Sequence, residues 1–94
     1  MITSTAAQIR EIVADDVEFV RAMLATLLDG ETDEALLRRS AAIMLSVELM
    51  PERVAAQSPF VDKNDVRMYV EAELRTALTL IEQVMATYGT VGTA

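Results

Sequence analysis

With 94 residues and neither cysteine nor histidine, the chain has the length of one domain. It is barred from disulfides, thiolate metal sites, thiol nucleophiles, iron–sulfur clusters and imidazole chemistry. Acidic residues outnumber basic ones by 15 to 8, for a net charge of −7, and Arg10, Arg21, Arg38, Arg39, Arg53, Arg67 and Arg75 are dispersed rather than striped, which disfavours direct nucleic-acid binding and suits a partner with a basic surface.

No uninterrupted apolar run approaches the ~18–20 residues that a membrane span requires. The opening Met-Ile-Thr-Ser-Thr-Ala-Ala-Gln has neither the basic nor the apolar region of a signal peptide, so a cytoplasmic location without membrane contact is expected.

The first helix is predicted over about residues 5–29. Thr5 and Gln8 have the spacing of a capping box, and Ile9, Ile12, Val13, Val17, Phe19, Val20, Met23, Leu24, Leu27 and Leu28 recur three and four apart. Gly30 suits the left-handed position after a helix end. On a helical wheel Asp16 falls in the middle of this apolar face, where an unpaired carboxylate is costly. Its structural readings are a buried ion pair with an arginine or a register-setting residue at a subunit interface. Its functional reading is a metal-binding or recognition carboxylate.

The second helix is predicted over about residues 33–57, with Thr32 as N-cap and Asp33 and Glu34 in the first turn. Pro51 lacks an amide donor and crowds the preceding turn, so the helix either kinks there or stops near Met50 and restarts. A kinked continuation is favoured, because Val54 keeps the phase of Val47 and Met50. Residues 41–50 are the most apolar run in the chain, broken only by Ser46 and Glu48. Ile43, Val47 and Met50 share one face with Leu36 and Val54, whereas Ala41, Leu45 and Leu49 lie on the opposite side. A helix that is apolar on two faces wants cover on both.

Ser58-Pro59 marks a connection, and Asp62 or Asn64 can cap a third helix over about residues 62–88. Val66, Val70, Leu74, Ala77, Leu78, Ile81, Val84, Met85 and Tyr88 form its apolar face, with Glu73 at the margin. Gly89 ends it, and residues 89–94 are expected to form a flexible tail. Met23, Met44, Met50 and Met85 follow the core spacing; Met68 lies off it and is the better candidate for surface contact.

The expected fold is all-α: an antiparallel up-down-up three-helix bundle, its second helix kinked or broken near Pro51, that associates into a helical dimer. Convergence of Asp16, Glu48 and Glu73 would create an all-oxygen site for Mg²⁺ or Mn²⁺, so the alternative function is a carboxylate-dependent enzyme acting on a nucleotide or phosphoester. The paired Glu-x-x-Glu and Glu-x-x-Asp pattern of small helical nucleotide pyrophosphohydrolases is not reproduced, since Glu31 and Glu34 straddle a helix start and no second half follows. No catalytic residue, metal ligand or cofactor is assigned. The leading expectation is a small acidic, non-enzymatic interaction module (a regulator, adaptor or inhibitor), homodimeric through Ala41, Leu45 and Leu49. A structural subunit of a larger assembly is the third reading.

Overall fold

The computed structural model describes residues 1–88; the expected tail, 89–94, lies outside the described residues. Four helices pack together: α1 (Ala6–Leu27), α2 (Glu34–Glu48), α3 (Met50–Ala55) and α4 (Lys63–Tyr88). Among the described residues there is no strand, only an isolated bridge between Ile2 and Phe60. No described helix is long and apolar enough to cross a membrane.

Local chemistry sets the helix starts. Thr5 Oγ1 accepts the Gln8 N–H at 3.2 Å while Gln8 Oε1 accepts the Thr5 N–H at 2.8 Å, closing the expected capping box on α1. Gly30 takes φ 74° in the turn that follows, a conformation that costs a glycine little. The N-cap of α2 is Asp33, not Thr32. Glu31 Oε1 accepts the N–H groups of Thr32 and Asp33 at 3.2 and 2.9 Å, which holds Thr32 in the turn and leaves Asp33 Oδ1 to accept from Leu36 N–H at 3.1 Å. At α4 the capping residue is Asp62 rather than Asn64: Asp62 Oδ1 accepts from Asp65 N–H, and Asp65 Oδ2 from Val61 N–H, both at 3.0 Å.

The single kinked helix expected over 33–57 is instead two helices. α2 ends at Glu48, Leu49 is a turn residue, and α3 starts at Met50. Pro51 has no N–H to donate to the Val47 carbonyl, and the Leu49 N–H points to both the Leu45 and Val47 carbonyls, tightening the last turn. The phase expected from Val54 survives, since Val47, Met50 and Val54 are all buried.

Around this break the core divides. Val20, Leu24, Leu36, Ile43, Val47, Ala77, Ile81 and Val84 form one cluster; Ile9, Val13, Met50, Val54, Phe60, Val66 and Val70 form the other. Val17 packs against both. α2 packs chiefly on α4, and α3 chiefly on α1. The N-terminal segment is tied to the α3–α4 connection, with Ile2 and Phe60 exchanging backbone bonds of 2.7 and 2.6 Å and Ser4 and Ser58 exchanging bonds of 3.3 Å. α1 and α4 therefore start from the same end and run in the same direction. Phe60 is fully buried and meets Tyr69 edge-on, with centroids 5.8 Å apart.

Two substitutions probe this core. Ser40 is buried on α2, and its Oγ has no hydrogen-bond partner. An unmet buried hydroxyl costs ~1–3 kcal/mol and alanine is the better helix former, so Ser40→Ala should raise unfolding stability by about 1 kcal/mol in urea titration. Phe60→Ala should lower it by about 3–5 kcal/mol.

Candidate interaction surfaces and the singled-out carboxylates

The structure separates the three carboxylates that the sequence singles out. Asp16 is exposed, as are Ile12 and Phe19 beside it, while α1 buries Ile9, Val13, Val20 and Leu24. This corrects the expectation of a buried Asp16. The apolar residues of α1 spread over about 160° of the wheel, from Phe19 to Val17, whereas a core-facing stripe needs only about 100°. The bundle covers the valine side and leaves the Ile12–Phe19 side, with Asp16, outside.

Glu48 is also exposed and accepts a 3.0 Å bond from Arg21 Nη2 on α1. Arg21 bonds Glu18 as well. The Glu48 hydrogen bond first, and the charge of Glu18 second, hold the Arg21 guanidinium above its ordinary pKa. Arginine is charged throughout the neutral range in any case, so this pair does not titrate there. A second clasp, Arg10 to Glu52, joins α1 to α3.

Glu73, on α4, is half-buried and has a structural partner. Arg53 Nε donates to Glu73 Oε1 and Oε2 at 3.3 and 3.0 Å, and Arg53 Nη2 donates to Oε2 at 2.6 Å. The same Nη2 donates to the Ser46 carbonyl at 2.8 Å. Helix ends leave carbonyls without intrahelical donors, and Arg53 supplies one where α2 stops. Asp16, Glu48 and Glu73 thus belong to three separate regions. Among the described residues no group of three carboxylates is placed to hold a metal ion, so the Mg²⁺ or Mn²⁺ arrangement is not formed. A cleft of about 250 Å³ beside the break has Arg53 and Glu73 in its wall, with their polar atoms already engaged in the fork.

Two apolar surfaces remain uncovered. The first is the expected one: Leu45 is 56% exposed and Leu49 48%, with Ala41 and Leu37 also exposed. At four-residue spacing Leu37, Ala41, Leu45 and Leu49 make a single ridge along α2. Met68 is exposed on α4, as its position off the core spacing implies.

Sequence reasoning missed the second surface. α1 and α4 meet only lightly, and between them runs a groove. Its lower part, about 890 Å³, is lined by Ile12, Asp16, Val66, Val70 and Leu74, with Glu11, Lys63, Arg67 and Glu71 on its walls. Farther along the same two helices a second hollow of about 430 Å³ is lined by Phe19, Met23, Thr26 and Leu27 on α1 and Met85 on α4. Ile12 is 63% exposed and Phe19 62%, and Leu78 and Met85, expected in the core, are exposed as well. The overlooked signal is the spacing of Ile12, Asp16, Phe19, Met23 and Thr26, alternately four and three apart. That is the repeat of a coiled-coil seam.

No family model, curated protein or solved structure matches this chain.

The Arg53 fork is directly testable. Arg53→Ala strands the Ser46 carbonyl and the Glu73 carboxylate, and charge-assisted hydrogen bonds at a half-exposed site should make the loss about 1–2 kcal/mol. In a double-mutant cycle with Glu73→Ala, the second substitution should cost much less once the first is present.

Proposed function

We propose that this chain is a small, acidic, non-enzymatic protein–protein interaction module that works as a homodimer joined through the outer ridge of α2. α2 and α3 together then serve as the middle leg of an up-down-up bundle. The observation that carries this reading is the exposure of Ala41, Leu45 and Leu49 on the side of α2 opposite its buried Leu36, Ser40, Ile43 and Val47.

A two-fold contact sets one ridge against its own copy. Ala41 and Ala42 keep the helix surface low, so that the leucines of one copy have room beside the alanines of the next. Ridges of residues four apart interdigitate at a crossing angle of about −50°. Burying a fully exposed leucine side chain stabilises by ~1.5–3 kcal/mol; Leu45 and Leu49, already about half-buried, each have roughly half of that left to contribute. The charges nearby are already paired within the chain, Arg38 with Glu34 at 3.7 Å and Glu48 with Arg21 at 3.0 Å. They add little repulsion between copies. The net charge of −7 suits a regulator, adaptor or inhibitor whose target presents a basic surface.

Light scattering after size-exclusion chromatography tests the reading. At micromolar concentration the protein should run above monomer mass, and Leu45→Glu with Leu49→Glu should lower the assembly state while the helical circular dichroism signal is kept. A strict monomer, or an assembly indifferent to the two substitutions, overturns it.

A further inference from the structure

We propose that the groove between α1 and α4 is a second self-association surface, filled by another copy of this chain about a two-fold axis lying along the groove. Such an axis sets α1 of one copy over α4 of the other. The apolar content suits that placement: Ile12 and Phe19 on α1 come to face Val70, Leu74 and Met85 on the neighbouring α4.

The argument for a second copy, rather than an unrelated helix, is charge. On the groove's lower part the α1 wall carries Glu11 and Asp16, both negative, whereas the α4 wall carries Lys63 and Arg67, with Glu71 the one carboxylate on that side. None of Glu11, Asp16, Lys63 or Arg67 is in an ion pair among the described residues. The two-fold sets the acidic wall of each copy against the basic wall of the other, so the complementarity is used twice. A surface that complements itself in this way is what an isologous contact requires.

Asp16 also acquires a physical reason. It interrupts the seam formed by Ile12, Phe19 and Met23, at a core position of the repeat. A single polar residue at such a position fixes register and oligomer state at some cost in stability. In the isolated chain the carboxylate is solvated and without consequence, and its effect is felt only when the groove closes.

The larger assembly rests on the α2 contact proposed above; the groove contact does not. With both present, the α2 dimer is the unit that further copies join through the groove, so assembly goes past the dimer.

The experiment blocks one face at a time and reads mass by light scattering at micromolar concentration, with circular dichroism confirming that each variant stays helical. With the α2 ridge blocked by Leu45→Glu and Leu49→Glu, the groove should still hold a dimer of twice the monomer mass. A monomer there overturns the groove contact. On that blocked background, Lys63→Glu with Arg67→Glu makes both walls acidic, and Glu11→Lys with Asp16→Lys makes both walls basic. Each should be monomeric alone, and an equimolar mixture should regain the twofold mass at low salt. A mixture that stays monomeric, or single variants that still pair, overturns the proposal. Phe19→Glu with the α2 ridge intact isolates the other reading: a dimer supports the α2 contact, and a monomer removes it without touching the result for the groove.

Discussion

The rest of the structure hangs on the break between Glu48 and Met50. A helix that ran unbroken from Glu34 to Ala55 would keep Leu36, Ile43, Val47, Met50 and Val54 on one straight face. Pro51 withholds the amide that the Val47 carbonyl needs, and the chain turns at Leu49 instead. The bend lets α2 settle on α4 while α3 settles on α1. Two small cores result, one on each side of the break, and Val17 touches both.

A break of this kind exposes backbone polarity, and the molecule answers it with one side chain. Arg53 is a turn beyond the break, close enough for its Nη2 to reach the Ser46 carbonyl at 2.8 Å. Its fork simultaneously engages Glu73 on α4. A lysine has no planar fork with which to satisfy a carbonyl and a carboxylate together. α3 is held by this fork and by the burial of Met50 and Val54 in the core, and the connection that follows it is tied down by the Ile2–Phe60 pairing. Six residues alone make a marginal helix; here tertiary contacts supply what length does not.

Helix content, the capping box at Thr5 and Gln8, the turn at Gly30 and the buried phase of Leu36, Ile43, Val47, Met50 and Val54 were all legible in the sequence. Each rests on short-range periodicity or on a local hydrogen bond. The rotation of α1 was not legible. Its apolar residues cover more of the wheel than one core can use, and choosing between the Val13–Val17 side and the Ile12–Phe19 side depends on where α3 and α4 stand. Asp16 was misplaced for that reason alone. Glu48 and Glu73 were recognisable as unusual positions, but their partners Arg21 and Arg53 lie 27 and 20 residues away, beyond the reach of any local pattern. The Thr32 cap failed differently, because Glu31 takes the N–H groups of Thr32 and Asp33 and holds both outside the helix, so that Asp33 becomes the cap.

Exposed apolar side chains scattered singly over a protein require no explanation, and the pattern here differs from scatter. Leu37, Ala41, Leu45 and Leu49 follow a four-residue ridge; Ile12, Phe19 and Met23 follow a seam spacing of seven and four. Met23 packs against one core, but Ile12, Phe19, Leu45 and Leu49 belong to neither core cluster, which the valines and isoleucines beside them largely fill. Glutamate, lysine or glutamine at positions 12, 19 and 45 would preserve helix propensity and give up less than half of each side chain's burial in the isolated chain. Breaking the helix at Pro51 divides the interior but does not uncover these faces, because they point away from it. The fold of a single copy leaves more than half of Phe19 and of Leu45 uncovered, and the proposed contacts with a second chain would cover them.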